Sequence, residues 1–199
     1  MQIGMFDSGV GGLSVLSACK RALPTAKFLY LDDSANRPYG NKSREEVIEI
    51  ADRNVRTLLS SGCEAIVIAC NTATAAAASF LRQKYDVPII GIEPAVKPAL
   101  TLTDSKILLL ATPLTATLRT YPPRVTVSVQ PTLACDIEKA YPDPKALSAL
   151  AQHINELSRG YSGLVLGCTH YSHLTPYLRL PVFDGAEGVA RRLKSIMIK

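Results

Sequence analysis

Short apolar segments alternate with segments of helical periodicity along this chain, and this alternation restricts the fold more than any other feature. The apolar segments of the first half are QIGMFDS, KFLYLDD, EAIVIAC and VPIIGI. Between them, the periodicity predicts a helix over residues 13–22, which Pro24 ends, and a second helix that begins at the capping box of Ser43 and Glu46. Because strands that alternate with helices of this length form parallel sheets covered on both faces, the sequence predicts an α/β fold.

The same pattern restarts in the second half, after the proline-containing segment EPAVKPAL. There KILLLATP, VTVSV and GLVLGC are predicted strands, PKALSALAQHINELSRG is a predicted helix, and AEGVARRLKSIMI is a predicted C-terminal helix. Two pairs of segments match between the halves: AIVIACNTA resembles GLVLGCTHY, and QIGMFDSG resembles KILLLATP at a similar offset. Repeats of this kind indicate duplicated structural units, with a chance match of short apolar strands as the alternative.

Polar side chains follow four of the predicted strands at the point where each strand ends. In open parallel sheets, ligands bind outside the carboxyl ends of the strands. Because several polar groups converge there, these strand ends predict a ligand site. It would be formed by Asp7 and Ser8, by Cys70, Asn71 and Thr72, by Thr112, and by Cys168, Thr169 and His170.

Cys70 and Cys168 occupy matching positions in the two halves, each at the end of a predicted strand. Two thiols alone make a poor metal site, and a single nucleophile needs only one cysteine with a neighbouring base. One thiol from each half suits racemisation, which needs a base on one face of a carbon atom and an acid on the other. Asp7 and His170 are candidates to assist one thiol each. Without the surrounding motifs, buried unreactive thiols would be the favoured explanation, and a disulfide is a further alternative.

Composition and charge argue against several classes of protein. The five cysteines show no disulfide-framework or zinc-ligand spacing, which indicates reduced thiols and no metal site. The longest apolar segments are too short to span a bilayer, and residues 1–9 lack a signal-peptide pattern, so we expect a cytoplasmic protein without membrane contact. The net charge of +5 favours anionic ligands, but the basic residues are scattered and aromatic residues make up only 6%, so we expect no nucleic-acid partner.

Five motifs together resemble those of the glutamate racemases, within the cofactor-independent aspartate/glutamate racemase superfamily. They are, in chain order, FDSGVGGLSVL, PYGNKS, ACNTATA, GIEPAVKPA and LGCTHY, and the resemblance extends from Ile3 to about Tyr171. It implies two pseudo-symmetric α/β domains with the active site in the cleft between them, no cofactor, and a homodimer. The first domain would comprise residues 1–96 and the C-terminal helix at about 182–199, and the second would comprise residues 97–181.

The family resemblance also implies a reaction and the roles of single residues. Cys70 and Cys168 would interconvert L- and D-glutamate by two-base proton transfer, which supplies D-glutamate for peptidoglycan, and Asp7 and His170 would assist. Glu138, in ACDIEKA, is the candidate for a glutamate that the family carries in its second half. Substrate binding is implied for Asp7, Ser8, Tyr39, Gly40, Asn71, Thr72, Thr112, Thr115, Thr169 and His170.

The chain departs from the family pattern in its second half. Pro122 and Pro123 follow ATPLTATLRTY where the family continues into a helix, so we expect a second domain trimmed by a helix. Leu118 and Ser172 stand where the family usually has serine and proline. Two alternatives stay open: a racemase of aspartate or another acidic amino acid, and a glutamate-binding protein without catalysis.

Overall fold

The computed structural model describes residues 1–102 and 104–198, and these residues form two parallel four-stranded sheets. Thr103 of the predicted second domain and Lys199 of the predicted C-terminal helix lie outside the described residues. The strands of the first sheet are Gln2–Asp7 (β1), Lys27–Asp32 (β2), Ala65–Ile68 (β3) and Ile89–Gly91 (β4). The strands of the second sheet are Ile107–Ala111 (β5), Val125–Val129 (β6), Leu164–Gly167 (β7) and Val182–Phe183 (β8).

The two sheets have the same strand order. It is β2-β1-β3-β4 in the first sheet and β6-β5-β7-β8 in the second, so each unit starts at an inner strand, adds one outer strand and then crosses over. The inner strands β1, β3, β5 and β7 are buried along almost their whole length, as parallel strands covered on both faces must be. The predicted α/β fold with two similar parallel-sheet units is confirmed.

Helices cover both faces of each sheet. The first sheet packs with one face on Arg44–Ser60 (α2) and Asn71–Lys84 (α3), and with the other face on Leu13–Ala22 (α1). The second sheet packs with one face on Val96–Leu102 (α4), and with the other face on Leu133–Ala140 (α6) and Pro144–Leu157 (α7). Across the described ranges, no helix combines the length and the apolar character needed to cross a bilayer.

Two further helices tie the units together. The helix that follows β5, Pro113–Leu118 (α5), has six residues, and its Leu114 and Leu118 pack against the core cluster of the first unit. The C-terminal helix, Ala186–Met197 (α8), lies against α1 on the first sheet, after β8 has paired with β7 in the second sheet. The chain therefore passes between the units after β4 and again after β8.

The sequence pattern does not predict α4, α6 or β8. The segment EPAVKPAL is predicted as a break, but α4 contains its second proline, Pro98. Pro98 lies in the first turn of the helix, where a backbone N–H needs no partner within the helix. With eight residues in α6 and two in β8, neither element is long enough for its periodicity to be recognised.

Candidate active site

A cavity of about 390 Å³ lies where the carboxyl ends of the inner strands of both sheets meet. Both units contribute to its walls. The predicted site residues that line it are Ser8, Tyr39, Gly40, Cys70, Thr72, Thr112, Glu138, Cys168 and His170. The other predicted residues are buried close to this lining; they are Asp7, Asn71, Thr115 and Thr169.

Cys70 presents its thiol to the cavity from the start of α3. It lies at the carboxyl end of β3, is 4% exposed, and its Sγ lies 4.0 Å from the Ser8 hydroxyl oxygen. Burial, together with the charges of Asp7 and Cys168, raises the pKa of the Cys70 thiol well above its ordinary value. The backbone N–H groups of Thr72 and Ala73 act in the opposite direction and stabilise the thiolate.

Cys168 presents the second thiol from the end of β7, in the other unit. Its Sγ lies 3.7 Å from Nδ1 of His170, and both side chains are buried. The ring of His170 is therefore close enough to exchange a proton with this thiol. The prediction that the two cysteines face one site is supported by their shared cavity.

The other ring nitrogen of His170 contacts Glu138. Nε2 of His170 lies 2.6 Å from Oε1 of Glu138, an oxygen that also accepts the N–H of Val10 at 2.9 Å. Burial alone lowers the pKa of His170, but its contacts with Cys168 and Glu138 outweigh burial and hold the pKa well above its ordinary value. Burial likewise raises the pKa of Glu138, but His170, the Val10 N–H and Arg37 bring it below its ordinary value. Both shifts in pKa favour an imidazolium at His170 beside a carboxylate at Glu138.

Asp7 is fully buried beside the first thiol. Its Oδ2 accepts the N–H of Gly12 at 2.7 Å and the hydroxyl of Thr169 at 3.2 Å. Burial raises the pKa of Asp7 above its ordinary value, although the charge of His170 and the N–H of Gly12 oppose the rise. A carboxyl group in this setting takes up a proton more readily than one in water.

Three buried polar atoms at this end of the cavity have no hydrogen-bond partner among the described residues. They are Oδ1 of Asp7 and both amide atoms of Asn71, whose side chain is 2% exposed. A buried polar atom without a partner costs roughly 1–3 kcal/mol, so proteins rarely keep one without a function. These atoms are suited to hydrogen bonds with a polar ligand.

Three threonine hydroxyls form a hydrogen-bonded group where the two units meet, and two of the residues, Thr72 and Thr112, line the cavity. The Thr72 hydroxyl lies 2.9 Å from that of Thr112 and 3.2 Å from that of Thr115, and Thr112 donates to Thr115 at 2.9 Å. Thr72 belongs to the first unit, and Thr112 and Thr115 belong to the second. Hydroxyls can rotate and can both donate and accept hydrogen bonds. These three side chains, which come from both units, can therefore donate hydrogen bonds to an anionic oxygen of a ligand.

Tyr39 contributes to the wall of the cavity, but its hydroxyl is already engaged. It donates to Oδ2 of Asp33 at 2.5 Å and accepts from the Asn54 amide at 3.0 Å. Any direct contact of Tyr39 with a ligand is therefore made by the ring or the backbone. Gly40 lies against Thr112, and a Cβ at position 40 would come within 2.7 Å of the Thr112 Cβ.

Several residues that line the cavity are not predicted from the sequence. Arg37 lies just before the motif PYG. A charged residue next to a motif does not by itself indicate a role in a site, so Arg37 was not predicted. In α6, the residues at positions 135, 138 and 139 have the spacing that places side chains on one face of a helix. A prediction of α6 would therefore have grouped these three residues as candidates for one site. The lining residues not predicted are Arg37, Pro38, Asn41, Pro113, Gln130, Pro131, Ala134, Cys135 and Lys139.

Comparison with known proteins gives one consistent result. The family model described as Asp/Glu/Hydantoin racemase matches residues 11–193. The glutamate racemase of Lachnospira eligens is 40% identical over an alignment of 220 positions, which covers 100% of this chain and 83% of that protein. The chain thus spans about four fifths of the length of such relatives.

Solved structures agree with the sequence relatives. The glutamate racemase of Escherichia coli, solved in complex with L-glutamate and the activator UDP-MurNAc-Ala, superposes with a TM-score of 0.88 at 29% identity, covering 99% of this chain and 82% of that one. Glutamate racemase isoform RacE1 from Bacillus anthracis gives a TM-score of 0.84 at 32% identity, covering 98% and 81%.

Proposed function

Since the chain belongs to the Asp/Glu/hydantoin racemase family, we propose that it is a glutamate racemase that interconverts L- and D-glutamate with two cysteine thiols. The observation that carries the proposal is the placement of Cys70 and Cys168 at matching strand ends of two similar units, on the walls of one cavity. A binding protein has no need for two thiols at such positions.

The proposed reaction moves one proton off the α-carbon and another onto it. One thiolate removes the α-proton from one face, and the opposite thiol donates its proton to the other face, so the two protonation states are exchanged after each turnover. On one side, the N–H groups at the start of α3 support the Cys70 thiolate. On the other side, the imidazolium of His170 adjoins Cys168 and supports its thiolate.

The cavity must also stabilise the developing negative charge. No cofactor takes part in the proposed reaction, so hydrogen bonds in a site shielded from water have to lower the energy of the carbanion-like transition state. The unpartnered Asn71 amide and Asp7 carboxyl oxygen are suited to the α-amino and α-carboxylate groups. The hydroxyls of Thr72, Thr112 and Thr115 are suited to the side-chain carboxylate.

The proposal is tested by incubating the purified protein with L-glutamate and, separately, with L-aspartate while the optical signal of each amino acid is followed. We expect the signal of L-glutamate to decay to zero and that of L-aspartate to persist. Decay with aspartate alone would assign the chain to a racemase of another acidic amino acid. Calorimetric binding of glutamate without decay would make it a binding protein.

Three broader expectations remain predictions and are part of the proposal. They are supply of D-glutamate for peptidoglycan, a cytoplasmic location and a homodimer. Growth of a D-glutamate-requiring bacterium that expresses this chain, on medium without D-glutamate, would support the supply of D-glutamate for peptidoglycan. Light scattering after size exclusion would show whether the mass is twice the 21.4 kDa of one chain.

Glycine at position 9 is predicted to be required for the contact between Glu138 and His170. A Cβ there would lie 1.8 Å from Oε1 of Glu138 and 2.9 Å from Nε2 of His170. Gly9→Ala therefore displaces the carboxylate, and we expect kcat for racemisation to fall by about 10- to 100-fold, the usual cost of a misplaced catalytic group. Steady-state kinetics measure this effect.

Gly188→Ala provides the matched control. Gly188 lies in α8, and a Cβ there would meet no described atom within 4 Å other than those of its chain neighbours and of the helix's own backbone. This substitution should leave kcat unchanged and raise the free energy of unfolding by about 0.5–1 kcal/mol, since alanine is favoured over glycine in helices. Equal rates for Gly9→Ala and the unmodified protein would show that the contact is not needed.

A further inference from the structure

Arg37 makes a contact between the two units at the edge of the cavity. It lies in the connection between β2 and α2 of the first unit, and its Nη1 is 2.9 Å from Oε2 of Glu138, which belongs to α6 of the second unit. The Arg37 side chain is 44% exposed, whereas that of Glu138 is 11% exposed. A solvent-facing cation thus reaches inward to an almost buried carboxylate.

The two oxygens of Glu138 have separate partners. Oε1 accepts the N–H of Val10 and contacts Nε2 of His170, and Oε2 contacts Arg37. A carboxylate that is held at one oxygen can still rotate about its last side-chain bond. A partner on each oxygen fixes the plane of the group, and with it the direction of the contact to His170.

We propose that Arg37 is a positioning residue: by holding the outer oxygen of Glu138, it keeps the inner oxygen on His170 and thereby keeps His170 directed at Cys168. Arg37 acts through Glu138 and makes no contact with the thiol itself. The inference rests on the proposed function for its kinetic consequences only, since the contact itself is independent of the substrate.

Arg37 affects the pKa of His170 in two opposite ways. As a positive charge it disfavours the imidazolium, so its removal by charge alone raises the pKa of His170. As an anchor it keeps Glu138 in contact with the ring, so its removal lets the carboxylate rotate away and lowers that pKa. Since solvent screens the half-exposed guanidinium, the anchoring effect is expected to dominate.

Charged or titratable groups face His170 from three parts of the fold. Asp7 faces the ring from β1, and Glu138 faces it from α6. Cys168 and His173 come from the same segment of the chain as His170. Of these groups, Arg37 contacts Glu138, so a fall in the pKa of His170 after replacement of Arg37 indicates that Glu138 has moved.

The test is an NMR titration of the His170 ring in Arg37→Met, because methionine keeps an unbranched, flexible side chain and removes the charge. With three histidines in the chain, the signal is assigned from single histidine variants. We expect the His170 titration midpoint to fall by roughly half a unit and kcat to fall roughly two- to fivefold with KM unchanged, the scale of a half-exposed ion pair. Arg37→Lys should restore most of both.

Two further variants make the test decisive. The double variant Arg37→Met/Glu138→Gln should have the same His170 titration midpoint and kcat as Glu138→Gln alone, because both changes interrupt the same chain of contacts. Arg21→Met, which removes the surface ion pair of Arg21 with Glu187 far from the cavity, should change neither the titration nor kcat.

An unchanged or raised His170 midpoint in Arg37→Met would overturn the positioning role. A rise in KM that persists in the Glu138→Gln background would also overturn it, since Arg37 would then bind the substrate directly. The titration needs no substrate, so it decides the role of Arg37 even if the protein turned over no glutamate. Failure of the proposed function and failure of this inference are therefore distinguishable.

Discussion

Replacing Cys70 or Cys168 by serine is expected to reduce racemisation by at least about 10³-fold, because each direction of the reaction needs both thiols. A serine hydroxyl is far less acidic than a thiol and supplies neither the base nor the acid. Each variant still keeps one thiol, which can remove the α-proton, exchange it with the solvent and protonate the carbon again on the same face. In heavy water, each variant should therefore exchange the α-proton of one enantiomer only, and the two variants should act on opposite enantiomers.

Cys135→Ser is the matched control for the two cysteine variants. Cys135 also lines the cavity, but it lies on α6 and not at a strand end. Its replacement should leave the racemisation rate within a few-fold of that of the unmodified protein. A Cys70→Ser or Cys168→Ser variant that binds glutamate and racemises it at a near-normal rate would refute the two-thiol mechanism.

His170→Asn is expected to lower kcat by roughly 10²-fold, the lower range for loss of a residue that assists proton transfer. Because the enantiomers have equal free energies, kcat/KM must remain equal in both directions, and the two directions cannot be distinguished by that ratio. The α-deuterium isotope effect does distinguish them. His170 contacts only Cys168 of the two thiols, so the isotope effect should rise for the enantiomer whose proton Cys168 removes and fall for the other.

His153→Asn is the control, since His153 lies exposed on α7 and should be replaceable without effect on the rate or on either isotope effect. If His170→Asn changed the isotope effects for both enantiomers equally, His170 would be a binding group for the substrate and not a partner of one thiol. Loss of binding affinity without loss of kcat would lead to the same conclusion.

Local sequence patterns predict much of this fold because the inner strands are short, apolar and followed by polar residues. The predicted helix over residues 13–22 coincides with α1, and the capping box of Ser43 and Glu46 is present at the start of α2. These features depend on neighbours within a few residues, so the sequence alone contains them.

The contacts that complete the candidate site could not be predicted in this way. Arg37 and Glu138 are separated by 101 positions, and the rest of the contact network depends on how the two units face each other. The hydrogen bonds of the Tyr39 hydroxyl with Asp33 and Asn54 likewise depend on how α2 packs beside the segment that connects β2 and α2. Periodicity carries no information about such pairs, whereas the sequence and its family resemblance predicted nine of the 18 residues that line the cavity.

The most direct test of the two-thiol account is to racemise L-glutamate in heavy water and measure deuterium at the α-carbon of both enantiomers at early times. The account predicts deuterium in the newly formed D-glutamate and none in the remaining L-glutamate, because the acid that protonates the product is not the base that removed the substrate proton. Deuterium appearing equally fast in the remaining L-glutamate, or substrate protium carried into D-glutamate, would show that a single base serves both faces.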